Sequence, residues 1–351
     1  MHPYRDLPRQ NFWKNCAETQ DFARDQLYRP KFRIGAGTRV ATAGSCFAQH
    51  VGRYLRTSQA ELIDVEPAPQ MMAPETARRF GYGLFSARYG NIYTTRQWRQ
   101  LLEDAAALQV HADAIWQRGG RFWDALRPGV EPQGLDSAEE VVVHRREHLA
   151  RVQAMLVGTD VFVFTLGLTE MWTHSETGRA YPIAPGVIAG HFDPDQHQFV
   201  NADYPSVLAD LQAVRTILRA HNPDMKLILT VSPVALAATA TSNHVLAATV
   251  YSKSVLRAAA GAMVAEHDDV DYVPSFEVIA GTPSCGRYYA GDLREVTPEG
   301  VATAMAMFFS AHPDLGGAVA AAENAPRAAV TETDPEDDVI CEERLLGAFR
   351  E

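Results

Sequence analysis

Short apolar runs alternate with stretches of helical periodicity along most of the chain. The apolar runs predict buried strands at residues 39–44, 160–166, 226–231 and 270–273. Continuous apolar strands separated by helices are typical of a parallel sheet that is covered on both faces. The pattern therefore predicts an α/β fold, with helices at residues 46–55, 95–108, 138–156, 207–220, 255–266 and 298–309.

These elements fit one domain over residues 1–320. Residues 1–37 mix aromatic residues, prolines and charges without a sustained period, and we expect them to form an N-terminal arm. Residues 56–150 separate the first two predicted strands and predict a long helical insertion over the sheet edge or the site. Residues 321–351 begin with a stretch rich in alanine, glutamate, aspartate and proline, which predicts a flexible acidic tail.

Charge and composition narrow the classes of partner and compartment. The net charge of −11 argues against nucleic acid or an anionic membrane as a partner, because both require a basic face. The first residues carry charges where a secretory signal needs an apolar run, and no apolar stretch approaches the roughly 20 residues that span a bilayer. We therefore predict a cytoplasmic protein. Its four cysteines lack CxxC spacing, which favours reduced thiols over disulfides or a zinc site.

The turn Gly44-Ser45-Cys46-Phe47-Ala48 joins the first predicted strand to a helix and carries two nucleophilic side chains. Backbone N–H groups at a helix N-terminus lower the pKa of a thiol and stabilise an oxyanion. The carboxyl ends of strands in an α/β sheet are also where ligands bind. From these residues alone, a serine that merely caps the helix stays an alternative to a catalytic site.

The chain resembles the GSCFA family, which is named after this pentapeptide. The resemblance implies an SGNH-like (GDSL-like), flavodoxin-like three-layer α/β/α sandwich with a parallel sheet. It also implies acyl transfer or ester or thioester hydrolysis on a small-molecule or saccharide substrate. No bound cofactor is implied, and a CoA thioester is a candidate acyl donor. The resemblance extends through Tyr89-Gly90-Asn91-Ile92-Tyr93-Thr94, Phe164-Thr165-Leu166-Gly167-Leu168-Thr169-Glu170, Ser232-Pro233-Val234, Tyr251-Ser252-Lys253-Ser254, Pro274-Ser275-Phe276-Glu277 and residues 288–300.

The first SGNH block, Gly-Asp-Ser, corresponds to Gly44, Ser45 and Cys46, which implies that Cys46 is the nucleophile. Ser45 is the rival, through its own hydroxyl. A related group of capsule-polysaccharide acyltransferases also has cysteine at this place, which favours a thioester or CoA-linked reaction.

The third SGNH block, Gly-x-Asn-Asp, corresponds to Gly167-Leu168-Thr169-Glu170, where Thr169 replaces the oxyanion-binding asparagine. Thr169 would then donate a hydroxyl hydrogen bond to the oxyanion, or Asn91 in the insertion would donate an amide. Asn91 is equally explained as a turn residue after a glycine.

The last SGNH block, Asp-x-x-His, corresponds to Asp292-Leu293-Arg294-Glu295, which lacks the histidine. Either Glu295 acts as the base with Asp292 orienting it, or a histidine from elsewhere does. A carboxylate suits a thiol of lowered pKa better than an alcohol, which favours Cys46 over Ser45. The candidate histidines are His244, His191 and His174.

Lys253 and Arg257 lie one turn apart on a predicted helix and, with Arg127, are candidates for holding a phosphate of CoA or of a sugar. Glu277 is a candidate for orienting a base, pairing with Lys253 or fixing a loop. The missing asparagine and histidine leave a second class of function open. In that alternative the chain binds a ligand or CoA on a degenerate SGNH scaffold without hydrolysing it.

Overall fold

A central parallel sheet is built from the apolar segments of the chain. The computed structural model describes residues 2–18, 22, 26–316 and 339–347. Neighbouring strands of the central sheet all run parallel. In spatial order its strands are β2 (Glu61–Leu62), β1 (Arg39–Gly44), β5 (Val161–Leu166), β9 (Lys226–Val231) and β10 (Val270–Tyr272).

The strand order identifies the fold. Counted along the chain within this sheet, the five strands follow the order 2-1-3-4-5, which is the flavodoxin-like order of doubly wound sheets. The order reverses between β1 and β5, and such folds bind ligands at the carboxyl ends of the strands beside that point. The fold is thus the predicted flavodoxin-like α/β/α sandwich with a parallel sheet, and the turn that follows β1 lies at the ligand-binding edge.

Helices cover both faces of the sheet. The central strands β1, β5 and β9 present alternate residues to two apolar clusters; in β5, Phe162 and Phe164 lie in one and Val161 and Val163 in the other. One layer is formed by α3 (Thr95–Ala107), α4 (Ala138–Gly158), α5 (Tyr204–His221) and α6 (Val245–Glu266), and the other by α1 (Ala48–Arg56), α7 (Ser275–Ala280) and α8 (Pro298–Ala311).

The four predicted strands and six predicted helices are confirmed, with small differences at their ends. The largest difference is the start of α6, which lies at Val245 rather than at residue 255. Its first turns expose Leu246 and Val250, so the apolar stripe that marks the rest of the helix does not extend to them. His244 begins this helix by accepting a hydrogen bond from the amide of Leu246.

Several short elements of two to six residues were not predicted, because so few residues show no clear period. Among them is a three-stranded antiparallel sheet, whose middle strand, β6 (Glu170–His174), alternates buried and half-buried residues. These elements are α2 (Pro74–Arg79), the hairpin β3 (Ile115–Arg118) and β4 (Arg121–Asp124), and the strands β6 (Glu170–His174), β7 (Ala180–Tyr181) and β8 (His197–Asn201).

Residues 56–150, which were predicted to form an insertion over the sheet edge or the site, are part of the sandwich and do not form a cap. They supply the edge strand β2 and the layer helices α3 and α4, whose apolar sides pack on the sheet. Trp98 of α3 stacks face to face on Phe164 of β5, with ring centroids 3.7 Å apart. These aromatic and aliphatic residues need the sheet to bury them, which is why the segment belongs to the sandwich itself.

Described residues of the predicted N-terminal arm pack on the layer formed by α1, α7 and α8. Tyr28 and Ile34 are buried there, and the Tyr28 hydroxyl donates to Asp271 over 3.0 Å. The amide of Ile34 donates to Nδ1 of His312 over 3.1 Å. No helix in the described part of the chain is both long and apolar enough to cross a membrane.

The end of the chain returns to the sheet. Most of the predicted flexible tail lies outside the described residues, but residues 339–347, here called the C-terminal segment, are placed against the domain and end in a short helix, α9 (Arg344–Gly347). Glu342 and Glu343 of this segment are each only 6% exposed. The expectation of a flexible tail therefore does not extend to this segment, in which Ile340 and Leu346 pack against apolar clusters and Cys341 lies among hydrogen-bonding neighbours.

Candidate active site

The turn after β1 is held tightly against β5. Gly44 adopts φ 135°, and a Cβ at this position would lie 2.7 Å from the backbone nitrogen of Thr165. The amide of Ser45 donates to the Thr165 carbonyl over 3.1 Å. Only glycine combines this backbone angle with such a close approach, so the first residue of the turn is fixed by geometry.

The two nucleophiles of the turn face different surroundings. The Ser45 hydroxyl is buried and has no hydrogen-bond partner. Cys46 is 3% exposed and lines a cavity of about 570 Å³, which it shares with Phe47, His50 and Arg294. A substrate in this cavity would meet the thiol of Cys46 rather than the hydroxyl of Ser45.

The thiol of Cys46 is hydrogen-bonded to the thiol of Cys341, which lies in the C-terminal segment. This bond and burial raise the pKa of Cys46, while the same bond and the Arg294 guanidinium lower the pKa of Cys341 to about 5. The shifts therefore favour the thiolate form on Cys341 over that on Cys46 while the segment is in place.

The carbonyl oxygen of Ile340 lies in a pocket of two side-chain amides. It accepts a hydrogen bond of 2.9 Å from Nδ2 of Asn91 and one of 2.8 Å from Nε2 of Gln49. The Ile340 amide donates in return to Oε1 of Gln49 over 3.1 Å. Because Ile340 directly precedes Cys341, this two-donor pocket lies beside the thiol of Cys46.

Asn91 was a predicted site residue and lies here, whereas Gln49 was missed. Gln49 follows Cys46 by three residues, and its backbone N–H donates to the Cys46 carbonyl over 3.1 Å. Helical spacing, which places residues three apart on one face, was the signal that would have identified it.

Glu342 is buried against the same amides. Its carboxylate accepts hydrogen bonds from Asn91 over 2.5 Å and from the Tyr93 hydroxyl over 2.7 Å. Burial raises its pKa. The Tyr93 hydroxyl also lies 3.7 Å from the sulfur of Cys341. The C-terminal segment is thus held by side chains of the site and not only by apolar packing.

Two cations flank the cysteine pair. Nζ of Lys253 is buried and donates to the Gly167 carbonyl over 2.7 Å, and burial lowers the pKa of this lysine to about 8. Arg294 lies 3.9 Å from the sulfur of Cys341 and 3.0 Å from the carboxylate of Glu343. Burial raises the pKa of Glu343 to about 7, with the Cys341 charge adding to the effect. Lys253 and Gly167 were predicted site residues, while Glu343 was not.

The threonine predicted for the oxyanion is committed elsewhere. The Thr169 hydroxyl donates to Asn201 over 2.7 Å, and its amide donates to the Ser252 hydroxyl over 3.0 Å. It is fully buried, so it holds β8 and α6 in place and has no hydroxyl hydrogen left for an oxyanion. Glu170 accepts from the Thr239 hydroxyl over 2.7 Å and fixes a loop.

The predicted base and its orienting partner do not reach the thiol. Asp292 is exposed and accepts hydrogen bonds from the amides of Arg294 and Glu295, each over 3.0 Å. The Glu295 carboxylate lines the cavity but pairs with Arg344 over 2.7 Å. In this Asp-x-x-His block it is therefore Arg294, and not its fourth residue, that lies beside the cysteines.

None of the predicted histidines faces Cys46. His244 is exposed at the start of α6, and His191 is exposed in a loop. His174 lies in the antiparallel sheet, with its ring 6.2 Å from that of His197. His50, which was not predicted, does line the cavity. Burial and the neighbouring Arg53 lower its pKa to about 3, so it is a neutral and very weak base.

The remaining predicted anion binders form pairs outside this site. Glu277 lies 2.5 Å from Arg257 and accepts from the Tyr272 hydroxyl over 2.9 Å, so it does not pair with Lys253. Arg127 donates to Asp124 over 2.8 Å within the segment 56–150. Both arginines were predicted from sequence proximity and charge, and only the tertiary structure shows that carboxylates already neutralise them.

A second cavity, of about 270 Å³, lies on the other side of the C-terminal segment. Glu343 and Leu346 of that segment form part of its wall, as does Tyr93. Its remaining lining is mainly apolar and aromatic and includes Leu168, Met171, Trp172, Tyr181, Ile183 and Phe199.

Comparison with known proteins gives a family and one distant structural likeness. None of the curated proteins matches the chain. The chain is similar to a protein described as a GDSL-like lipase from Parabacteroides merdae, with 15% identity and a TM-score of 0.35 over 81% of this chain and 99% of that one. The strand order, rather than this likeness, carries the fold assignment. The sequence matches the GSCFA family over residues 39–308, and the protein therefore belongs to the GSCFA family.

Proposed function

We propose that this protein transfers an acyl group, or hydrolyses an ester or thioester, through a covalent intermediate on Cys46. The observation that carries the proposal is the position of Cys46. It lies on a tight turn at the carboxyl end of β1, and its side chain lines a cavity of about 570 Å³. Ser45, on the same turn, is buried without a partner and does not line that cavity.

Once a substrate displaces Cys341, whose hydrogen bond and charge raise the pKa of Cys46, a cation-stabilised thiolate replaces the base that the Asp-x-x-His block lacks. Lys253 and Arg294 both lie close enough to act electrostatically on Cys46. Positive charges near a cysteine favour its thiolate, which is the nucleophilic form, so the thiol proton can pass to solvent without a histidine. This explains how the missing histidine is compatible with catalysis by cysteine and not by serine.

The amides of Asn91 and Gln49 form the proposed oxyanion pocket. They already hold a carbonyl oxygen, that of Ile340, over 2.9 and 2.8 Å. An acyl carbonyl in the same place would present its carbon beside Cys46. Side-chain amides preorganised in this way stabilise the charge that develops on the oxygen in the transition state.

The proposed reaction has two steps. The Cys46 thiolate attacks the acyl carbonyl carbon, the carbonyl oxygen takes up the charge between Asn91 and Gln49, and the alkoxide or thiolate of the donor leaves with its electron pair and is protonated by solvent. An acceptor hydroxyl or water then attacks the thioester and loses its proton to solvent, the acyl group passes to that oxygen, and the Cys46 thiolate is regenerated. The substrate class we propose is a small acyl ester or thioester, with a CoA thioester as donor and a saccharide or water as acceptor.

Intact-protein mass spectrometry tests the proposal. The protein is incubated with short acyl-CoA thioesters and activated esters, alongside Cys46→Ala, Ser45→Ala and the exposed-cysteine control Cys285→Ala. We expect an acyl adduct in the parent, in Ser45→Ala and in Cys285→Ala, and none in Cys46→Ala. An adduct that persists in Cys46→Ala and disappears in Ser45→Ala would transfer the role to the serine.

A binding role without turnover is the second candidate, supported by the positions of Asp292 and His244 on the surface and of Thr169 away from the cavity. In that case the two cavities hold a ligand, and Cys46 is not needed. Equilibrium binding of the same acyl-CoA compounds to Cys46→Ala, with no adduct and no turnover in the parent, would establish this role instead.

A further inference from the structure

The C-terminal segment occupies the proposed site in the manner of a bound ligand. Its Ile340 carbonyl fills the amide pocket of Asn91 and Gln49, and its Cys341 thiol touches the thiol of Cys46. Its Glu343 carboxylate pairs with Arg294 over 3.0 Å. Polar side chains that would bind a substrate are therefore bonded to the chain's own end.

Two cysteines that line one cavity and whose thiols are hydrogen-bonded to each other form a reactive arrangement. Cys341 is less buried than Cys46 and has Arg294 3.9 Å from its sulfur. The thiolate is the form of cysteine that reduces peroxides, and a neighbouring thiol then resolves the product. A disulfide between these two cysteines would join their sulfur atoms at about 2.05 Å.

We propose that Cys46 and Cys341 are a reversible redox pair, in which peroxide forms a disulfide that ties the C-terminal segment across the site and a thiol reductant releases it. The consequence for activity depends on the proposed role of Cys46, whereas the disulfide itself does not. Cys16 and Cys285 lie outside this arrangement, and Cys285 is exposed.

The chemistry balances with hydrogen peroxide as the oxidant. The Cys341 thiolate attacks one peroxide oxygen, the O–O bond breaks, and a sulfenic acid and hydroxide result. The sulfur of Cys46 then attacks the sulfenic sulfur and forms the S–S bond, and the departing hydroxyl takes the Cys46 proton and leaves as water. Each sulfur gives up one electron, and the peroxide accepts two. Reduction by a dithiol reverses the change through a mixed disulfide.

Disulfide mapping tests the pair independently of any enzymatic activity. The reduced full-length protein is treated with hydrogen peroxide, remaining thiols are alkylated, and the peptides are analysed without reduction, for the parent, Cys341→Ser and Cys285→Ser. We expect a cross-linked pair of peptides that contain Cys46 and Cys341 in the parent and in Cys285→Ser, and its return to two alkylated peptides after dithiothreitol. The inference is overturned if both cysteines are still alkylated at a peroxide dose that oxidises Cys285.

Acyl-adduct formation provides the functional readout. The amount of acyl adduct on Cys46 should fall in proportion to the cross-linked fraction and return with dithiothreitol. In Cys341→Ser, which cannot form the cross-link, peroxide should not cause this reversible loss of adduct. A reversible loss of equal size in Cys341→Ser would show that Cys46 is oxidised alone and would contradict the pair. If no protein forms an acyl adduct, the proposed reaction fails, and the peptide map still decides whether the disulfide exists.

Discussion

Lys253 and Gly167 connect the helix α6 to the carboxyl end of β5 through one buried hydrogen bond of 2.7 Å. The lysine is 3% exposed, and burial lowers its pKa to about 8. A buried ammonium is costly unless opposite charge lies near it, and both Glu343 and the cysteine pair supply that charge. The contact therefore joins the architecture of the sheet edge to the charge of the Cys46 and Cys341 pair.

Replacing Lys253 by methionine should raise the apparent pKa of the Cys46 and Cys341 pair, because a cation facing the thiolate is lost. Each unit by which the pKa of Cys46 rises corresponds to a roughly tenfold smaller Cys46 thiolate fraction, so alkylation of Cys46 by iodoacetamide near neutral pH should slow by about that factor. The pH dependence of alkylation, followed by peptide mapping, measures the change. Lys14→Met, at an exposed position, is the matched control, and identical profiles for the two variants would contradict the role of Lys253.

The stack of Trp98 on Phe164 should make a large contribution to stability. Trp98 is fully buried between α3 and the sheet, and removal of a large buried side chain costs about 3–5 kcal/mol. Urea denaturation of Trp98→Ala should show a loss of this size. Trp13→Ala, at a position that is 74% exposed, should change the free energy of unfolding by less than about 0.5 kcal/mol. Equal effects of the two substitutions would argue against the described packing of α3.

Gly44→Ala should disrupt the turn that carries Cys46. Its Cβ would collide with the backbone of Thr165, which cannot move without displacing β5, and φ 135° is unfavourable for alanine. We expect loss of the folded protein or a marked fall in its melting temperature, measured by differential scanning calorimetry. Gly291→Ala is the control, because a Cβ there meets open space. A stable Gly44→Ala variant would show that the turn is not held as described.

Stability should fall in acid as the buried His312 becomes protonated. Burial lowers its pKa to about 4, from the ordinary value of 6.5, and its Nδ1 accepts a hydrogen bond from the amide of Ile34. The unfolded chain therefore binds more protons than the folded one between pH 6.5 and 4, so the free energy of unfolding decreases as pH falls through this window. Chemical denaturation at a series of pH values should show a shallower slope for His312→Gln than for the parent. Parallel slopes would exclude this contribution.

Local sequence determined the central elements of this fold. The strands β1, β5 and β9 are mainly apolar and are buried at almost every position, and such runs indicate burial on both faces without knowledge of their neighbours. Gly44 is likewise marked by its position at the end of a strand before a helix. Such features could be read from the sequence because burial pattern and turn chemistry are properties of consecutive residues.

The composition of the site was decided by tertiary structure. The family resemblance made Glu295 a candidate base and its missing histidine made His244 another, but the fold turns both towards other partners. It brings Arg294, Lys253 and Cys341, which are far apart along the chain, to the thiol of Cys46. A contact between distant residues depends on how several layers pack, and no local period records it.

The sequence by itself thus determined the helices and strands of an α/β fold, the position of the turn that carries Cys46, and the assignment of the predicted strands to one parallel sheet. Only the tertiary structure decided that an acidic chain end returns to that turn and places Cys341 on Cys46. The physical reason is that the acidic composition of the residues before the segment is a property averaged over many positions. Docking of the C-terminal segment depends instead on the few side chains that meet hydrogen-bond partners. Ile340 and Glu342 find theirs in Gln49 and Asn91.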